Sequence, residues 1–186
     1  MPEQQGAPLE RQFGDVRVPM LVAMAGLPGS GKSTIAEILA GRLGATMISV
    51  DPIEASILRA GIDSDQPTGL AAYLVAETMA EQVLQSGHSV VVDAVNAVEP
   101  ARLQWRDLAE RCGVKLRVVE TVCSDTELHE ERLAKRTGLV AAYAVEQNTD
   151  EYDEWRGACG TLPRVTLDTS APLGENVTIA VSFVEG

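Results

Sequence analysis

A glycine-rich loop between an apolar run and a helical stretch constrains this chain more than any other feature of its sequence. Residues 26–33 read Gly-Leu-Pro-Gly-Ser-Gly-Lys-Ser and fit the pattern G-x-x-x-x-G-K-[S/T]. The apolar run 20–25 precedes this loop, and a stretch of helical periodicity over 32–43 follows it. Glycines allow successive backbone N–H groups to converge on one anion, and the positive end of a helix dipole adds to that attraction. The sequence therefore predicts a phosphate-binding loop.

The residue types of this loop predict how a nucleoside triphosphate and Mg²⁺ bind to it. Lys32 is expected to reach the β- and γ-phosphates, and the hydroxyl of Ser33 is expected to hold Mg²⁺. The alternative interpretation is a glycine-rich turn with a surface lysine, and the strand and helix on either side argue against it. The loop residues predicted to contact the nucleotide are Gly26, Leu27, Pro28, Gly29, Ser30, Gly31, Lys32, Ser33 and Thr34.

Apolar runs of strand length alternate with stretches of helical period from Val18 to the end of the chain. Such alternation predicts βαβ units around a parallel sheet, and hence an α/β fold. Ser124 and Glu127 fit a capping box at the start of one helix, and the stripe that contains Trp105 is expected to face the core. Helices are predicted over 32–43, 52–60, 69–86, 100–112 and 124–136, and strands over 19–25, 46–50, 89–93, 114–122 and 164–168. The last segment, 175–186, fits a helix or a strand, and the alternation of elements favours a closing helix.

The chain is expected to form one domain over residues 18–186, preceded by a flexible arm over 1–17. The arm is rich in Gln, Pro and Gly and shows no periodicity. Residues 137–162 also lack regular periodicity, which predicts a lid that contains at most a short helix. An acidic cluster in this lid is either a solvated face or a mouth that attracts a cationic substrate. Its members are Glu146, Asp150, Glu151, Asp153 and Glu154.

Charge and cysteine content exclude several classes of function. The 186 residues include 15 Lys+Arg and 27 Asp+Glu, for a net charge of −12, which argues against duplex nucleic acid as a partner. No apolar run approaches the roughly 18 residues of a membrane span, so no membrane partner is expected. Cys112, Cys123 and Cys159 form no CxxC pair, which predicts reduced thiols in a cytoplasmic protein. We expect Cys123 to be a small buried residue and both histidines, His88 and His129, to lie on the surface.

Missing motifs narrow the class of phosphate-loop protein. GTPases carry an N-K-x-D or T-K-x-D base reader and a D-x-x-G switch, and transporter ATPases carry L-S-G-G-Q. None of these patterns occurs in the chain. The remaining layout is typical of a small-molecule kinase, whose ligands bind at the carboxyl ends of the strands of an open parallel sheet.

Two aspartates follow predicted strands and are candidates for this edge of the sheet. Asp93 ends the strand 89–93, where a carboxylate reaches Mg²⁺ directly or through water, with a helix cap or turn residue as the alternative. Asp51 precedes a proline and fits either the N-cap of the helix 52–60 or a catalytic group. These two roles of Asp51 are compatible in one residue.

Two arginines provide the positive charge expected near a transferring phosphoryl group. Arg132 and Arg136 are four residues apart and therefore share a helix face next to the predicted lid. Guanidinium groups in a lid neutralise the charge of the transition state. A solvated charged helix is the alternative, because Glu131 and Lys135 form a charged pair on the same helix.

Taken together, these segments resemble the phosphate-loop kinase family that includes chloramphenicol phosphotransferase, the zeta-toxin kinases and the 5′-hydroxyl kinase domain of polynucleotide kinase. The resemblance implies a three-layer P-loop NTPase fold with a five-stranded parallel sheet in the order 2-3-1-4-5. It also implies an ATP-dependent kinase that transfers the γ-phosphoryl group to a hydroxyl, with ATP and Mg²⁺ as cofactors. The similar segments are GLPGSGKST (26–34), VD (50–51), VVVDAVN (90–96) with Arg102, ERLAKR (131–136) and LDTSAPLGENV (167–177).

The same resemblance implies roles for individual residues. Asp51 matches the family's general base, Arg132 and Arg136 match its lid arginines, and Thr169 lies in the loop that matches the one near adenine. Asn96 and Arg102 match positions near the substrate. The chain departs from the family after Asp51, where polynucleotide kinases place an arginine that grips the substrate phosphate, whereas Pro52, Ile53 and Glu54 follow here.

The expected function is therefore phosphorylation of a small-molecule hydroxyl, on an antibiotic, a nucleoside or a sugar. The missing arginine and the acidic charge argue against nucleic-acid ends as acceptors. The alternative is a regulatory nucleotide-binding module that hydrolyses ATP slowly and acts through a protein partner. The sequence leaves the identity of the acceptor and the oligomeric state open.

Overall fold

The computed structural model describes residues 18–135 and 152–186, which build a parallel sheet with helices on both faces. The five strands lie in the order β2-β3-β1-β4-β5, which confirms the predicted α/β fold and the order 2-3-1-4-5. The strands are β1 (Met20–Ala25), β2 (Thr46–Ser49), β3 (Val90–Asp93), β4 (Lys115–Val122) and β5 (Arg164–Asp168). Predictions outside the described residues concern the arm 1–17, Arg136, the lid segment 137–151 and the acidic residues Glu146, Asp150 and Glu151.

The helices follow the predicted periodicity closely. They are α1 (Lys32–Leu43), α2 (Val50–Arg59), α3 (Thr68–Gln85), α4 (Glu99–Cys112), α5 (Thr126–Ala134), α6 (Gly157–Gly160) and α7 (Leu173–Glu185). The short helix α6 lies in the second part of the predicted lid. No helix among the described residues combines the length and apolar character that a membrane crossing requires.

The central strand β1 is apolar along its whole length because helices cover both faces of the sheet. One face packs against α3 and α4, where Trp105 and Leu108 are fully buried, which confirms that the Trp105 stripe faces the core. The other face packs against α1 and α7 through residues such as Leu39 and Val184. Truncation of a buried side chain as large as Trp105 typically lowers the free energy of unfolding by about 3–5 kcal/mol. The packed core therefore contributes strongly to the stability of the sheet.

Parallel pairing brings the carboxyl ends of the strands to one edge of the sheet. Ala25 at the end of β1 pairs with Glu120 of β4, and Ser49 at the end of β2 pairs with Asp93 of β3. The phosphate loop begins directly after β1. The loops that follow β2, β3, β4 and β5 therefore surround it.

The predicted N-cap residues of two helices are wrong by one or two positions. Helix α2 begins at Val50 with Ser49 as its N-cap residue, so Asp51 lies inside the first turn and is not the N-cap. Helix α5 is capped by Asp125, whose carboxylate accepts a hydrogen bond from the backbone N–H of Leu128. Ser124 is not the cap, because its hydroxyl is used in a hydrogen bond to Asp168 in the strand next to it.

Candidate functional site

The glycines of the phosphate loop adopt backbone conformations that other residues disfavour. Gly26, Gly29 and Gly31 have φ values of 136°, 81° and 81°. A Cβ atom on Gly26 would lie 2.3 Å from the carbonyl oxygen of Thr121, a contact that no side chain tolerates. Gly31 is also the N-cap residue of α1, so the loop turns directly into the helix N-terminus that attracts anions.

Contacts from neighbouring strands fix the shape of the loop. The N–H of Gly26 donates to the carbonyl oxygen of Val95 at 3.0 Å, beyond the end of β3. The hydroxyls of Ser30 and Thr121 hydrogen bond at 2.7 Å, and Ser30 is buried. The backbone N–H groups that face outward are thereby positioned before any ligand binds. Such preorganisation reduces the cost of ordering the site on binding.

Two cavities among the described residues are lined by the phosphate loop, and the larger has a volume of about 540 Å³, within the usual range of small-molecule sites. It lies between the phosphate loop, α5 and the loop that joins β5 to α7. Seven of the residues predicted to bind nucleotide line it: Gly29, Gly31, Lys32, Ser33, Thr34, Arg132 and Thr169. Gly26 and Ser30 support the loop from the sheet side, while Leu27 lines the second cavity.

Arg132 and Thr169 form one continuous wall of the larger cavity. Nη1 of Arg132 donates to Oγ1 of Thr169 at 2.7 Å, and Nη2 donates to the Thr169 carbonyl oxygen at 3.0 Å. The Thr169 hydroxyl in turn donates to the carbonyl oxygen of Ser30 at 2.8 Å. The guanidinium of Arg132 is thus held against the phosphate loop through a residue of the β5–α7 loop.

Cys123 differs from its prediction. It is half-buried at the end of β4, and its Sγ lies 3.6 Å from Nη1 of Arg132. The sequence did not indicate this contact, because Arg132 is nine residues from Cys123. The turn between β4 and α5 brings the two side chains together. All three cysteines are free thiols.

Asp168 shapes the loop that carries Thr169. Its carboxylate accepts hydrogen bonds from the hydroxyls and the backbone N–H groups of Ser124 and Ser170. These four hydrogen bonds hold the pKa of Asp168 well below its usual range, and those from the hydroxyls of Ser124 and Ser170 have the largest effect. The carboxylate therefore stays ionised and keeps the turns after β4 and β5 joined.

His129 contacts the phosphate loop, whereas the sequence predicted a surface position. Nε2 of His129 donates to the carbonyl oxygen of Pro28 at 2.7 Å. The imidazole also packs so closely on Gly29 that a Cβ atom there would lie 2.8 Å from the ring. The other histidine, His88, is exposed as predicted.

Asp93 lies buried at the end of β3, next to the strand that leads into the phosphate loop. Its Oδ1 atom is shielded from solvent and has no hydrogen-bond partner among the described residues. A buried carboxylate oxygen without a partner is costly, and a hard cation such as Mg²⁺ supplies the missing contact. The described residues contain no group of three or more His, Cys, Asp or Glu that could hold a metal by themselves. Asp93 and the Ser33 hydroxyl therefore fit a Mg²⁺ ion, which they would hold together with phosphate oxygens of a bound nucleotide and water.

Asp51 lies in the first turn of α2, within electrostatic range of the buried phenol of Tyr73. The pKa of Tyr73 is raised to about 12, first by burial and further by the negative charges of Asp51, Glu54 and Asp93. The N–H of Asn96 donates to the Tyr73 oxygen at 3.0 Å and opposes part of the increase. Tyr73 thus stays protonated beside three carboxylates, a relationship that no local sequence pattern indicates.

Asn96 and Arg102 hold the framework of the site. The Asn96 amide donates to the carbonyl oxygen of Met24 and accepts from Nε1 of Trp105, at a positive φ of 49°. The guanidinium of Arg102 is buried and donates to the carbonyl oxygens of Asn96, Ala97 and residues 153–154. Both side chains are thus occupied by contacts within the protein.

Glu120 anchors the segment that enters β5, and sequence reasoning missed it. This buried carboxylate of β4 accepts hydrogen bonds from Tyr152, Trp155, Arg164 and Thr166. Burial raises its pKa, but the hydrogen bonds and the charge of Arg164 outweigh that effect and lower it. A charged residue in the middle of a strand, among apolar neighbours, is the signal that could have identified this anchor.

The comparisons with known proteins agree with this geometry. An uncharacterized protein of Mycobacterium tuberculosis (strain H37Rv) is 32% identical over 130 residues, which cover 63% of this chain and 26% of that protein. A UPF0200 protein of Aeropyrum pernix is 35% identical over 104 residues, which cover 47% of this chain and 54% of that protein. The chain therefore spans only part of the length of these curated relatives.

Solved structures show the same fold. A gluconokinase from Sinorhizobium meliloti superimposes with a TM-score of 0.66 at 23% identity, over 91% of this chain and 93% of that one. The fold is thus one that known phosphate-loop kinases use.

The AAA domain family matches residues 21–158, which include the phosphate loop, Asp51 and Asp93. This match spans more than half of the sequence, and the chain therefore belongs to the AAA domain family.

Proposed function

We propose that this protein transfers the γ-phosphoryl group of ATP to a hydroxyl group of a small molecule. The larger cavity carries the proposal, because there the phosphate loop faces Arg132 and Thr169. The unpartnered buried oxygen of Asp93 at the next strand end supports it further. The likeness to a gluconokinase adds the precedent of a kinase with this fold. The free thiols of all three cysteines support a cytoplasmic location.

The residues of the larger cavity divide the binding of ATP between them. Backbone N–H groups of the loop and the ammonium group of Lys32 bind the phosphates, while Arg132 and Thr169 bind the nucleoside end. Ser33 and Asp93 hold Mg²⁺, which when bound neutralises charge that develops on the phosphate oxygens. Arg136, outside the described residues, is proposed to approach the transferring group from the lid.

The proposed transfer is an in-line displacement at the γ-phosphorus. The acceptor oxygen forms a bond to phosphorus as the bond to the bridging oxygen of ADP breaks. The carboxylate of Asp51 orients the acceptor hydroxyl and accepts its proton as the new bond forms. Positioning and electrostatic stabilisation supply most of the rate in such reactions.

The test is to mix the protein with Mg·ATP and a panel of antibiotics, nucleosides and sugars, and to search by mass spectrometry for acceptors that gain one phosphate. We expect at least one acceptor to be phosphorylated by the wild type and none by Lys32→Ala. ATP hydrolysis that no acceptor stimulates, together with no phosphorylated product, would contradict the proposal and favour the regulatory module.

A further inference from the structure

A second cavity of about 340 Å³ opens on the other side of the phosphate loop. It lies between α3 and the start of α4, and Leu27 of the loop forms part of its wall. The remaining lining residues come from α3, from the segment that follows β3 and from the start of α4. They are Gly69, Leu70, Tyr73, Val95, Ala97, Val98, Pro100, Ala101 and Gln104.

The wall of this cavity carries no charged side chain among the described residues. Most of it is aliphatic, and the amide of Gln104 is occupied by hydrogen bonds to Glu77 and to the Tyr73 carbonyl oxygen. A charged group that entered such a cavity would lose its hydration without gaining an ionic partner. An apolar group would gain free energy from burial against the same wall.

Tyr73 belongs to the cavity wall and gives it a polar group, the phenol. The Tyr73 oxygen accepts a hydrogen bond from the Asn96 N–H, so the phenol proton can be donated to a ligand. The negative charges of Asp51, Glu54 and Asp93 act on this same phenol. A hydroxyl group near this phenol is attracted as a hydrogen-bond partner, whereas an anionic group is repelled.

From these observations we infer that the second cavity binds the phosphoryl acceptor, and that this acceptor is an uncharged alcohol with an apolar body. The inference rests on the proposed function and makes its substrate class specific. The apolar body lies against Leu27, Leu70 and Val98, and the hydroxyl points to Tyr73, on whose phenol the charge of Asp51 acts. Sugar acids and nucleotides are disfavoured as acceptors because the part of the cavity wall that the structure describes offers them no cation.

Helix α3 offers a matched pair of variants to test this assignment. Leu70 lines the cavity and Leu74 does not, yet both are exposed on the same helix one turn apart, by 61% and 52%. Leu70→Glu therefore places a carboxylate at the cavity, and Leu74→Glu places one beside it. Thermal unfolding of both variants checks that each remains folded.

The binding probe is prodan, an uncharged naphthalene dye whose fluorescence rises in an apolar site, with ATP left out. We expect one saturable site in the wild type, about tenfold weaker binding in Leu70→Glu and unchanged binding in Leu74→Glu. We further expect 3-phenylpropan-1-ol to displace the dye, and its 4-carboxyphenyl counterpart to displace it about tenfold less well. Equal effects of the two variants, equal displacement by the two alcohols, or no saturable site would overturn the inference.

The assay separates this inference from the proposed function because binding is measured without phosphoryl transfer. Phosphorylation of gluconate or of adenosine 5′-monophosphate, with no effect of Leu70→Glu on their turnover, would retain the kinase and reject the apolar alcohol. Selective dye binding that Leu70→Glu abolishes, with no acceptor phosphorylated, would retain the cavity and reject the kinase.

Discussion

Nε2 of His129 donates a hydrogen bond to the carbonyl oxygen of Pro28, across 101 residues of sequence. The imidazole also packs on Gly29, so helix α5 directly supports the phosphate loop. A neutral hydrogen bond of this kind contributes about 0.5–1.5 kcal/mol. Because His129 is only half-buried, loss of this hydrogen bond should affect the phosphate loop more than the stability of the core.

We expect His129→Ala to weaken ATP binding by about three- to tenfold with little change in Tm. His129→Gln should restore part of the affinity, since its amide can donate to the same carbonyl oxygen. Isothermal titration with Mg·ATP measures both. His88→Ala is the control, because His88 is exposed and lies far from the phosphate loop in the sequence. Equal losses of ATP affinity in the two alanine variants would contradict the role of His129.

Replacement of Lys32 by alanine should remove useful ATP binding while the fold persists. Wild-type protein is expected to gain stability from Mg·ATP by RT ln(1 + [L]/Kd), and Lys32→Ala should lose most of that gain. Differential scanning fluorimetry with and without Mg·ATP measures the difference. The control is Lys115→Ala, an exposed lysine at the start of β4. A full ATP-induced shift in Lys32→Ala would reject the predicted phosphate contact.

Asp51→Asn should lower kcat by about 10²- to 10⁴-fold if Asp51 is the general base, with the lower end expected for a loose transition state. Because Asp51 is not the N-cap of α2, we expect Asp51→Asn and Asp51→Ala to have similar Tm values. Loss of a first-turn carboxylate should cost each of them about 0.3–1 kcal/mol. Asp63→Asn, at an exposed aspartate that lines neither cavity, serves as the matched control for kcat. A kcat within a few-fold of wild type in Asp51→Asn would leave this residue with only an electrostatic role.

Arg132 and Arg136 should differ in the kinetic parameter that they control. Arg132 is already bound to Thr169 in the cavity wall, so Arg132→Ala should mainly raise the KM for ATP. An arginine that meets charge only in the transition state lowers kcat when it is removed, which we expect of Arg136→Ala. Steady-state kinetics with varied ATP separates the two, and the opposite pattern would exchange their roles.

Glu120→Gln should destabilise the protein at neutral pH and flatten its acid unfolding. The folded-state pKa of Glu120 lies below its ordinary value of 4.5, so its ionised form stabilises the fold above that pH. This stabilisation is lost as the pH falls below about 4.5 through the lower folded-state value. Urea unfolding at a series of pH values should show a smaller pH dependence in Glu120→Gln than in the wild type. Identical slopes in both proteins would show that Glu120 ionisation does not stabilise the fold.

Local patterns were sufficient for the individual strands and for most helices, whereas the strand order came from the family resemblance. The helix 32–43 and the strand 164–168 were predicted with the bounds that the structure has. In each, the periodicity and the flanking residues, glycines for the helix and Pro163 for the strand, act within a few residues of the chain. The one-residue error at Ser124 has a non-local cause. The Ser124 hydroxyl donates a hydrogen bond to Asp168, 44 residues away, and is therefore not used to cap the helix.

The contacts that sequence reasoning missed join residues far apart in the chain. Glu120 meets Tyr152 and Trp155 over 32 and 35 residues, and Arg132 meets Thr169 over 37. The resemblance placed Arg102 near the substrate, and the structure gives it buried contacts to backbone carbonyl oxygens. No spacing rule identifies such partners, because they become neighbours only when parallel strands bring their ends together.

The two cavities share one short turn of backbone but are otherwise built from separate elements. Gly29 to Ile35, α5 and the β5–α7 loop enclose the larger cavity, whereas α3 and the start of α4 enclose the smaller one. Substitutions in α3 can therefore alter which alcohol is accepted while the ATP side is left intact. A compound that joins a nucleoside triphosphate mimic to an apolar tail through a linker past Leu27 would occupy both compartments at once and act as a bisubstrate inhibitor.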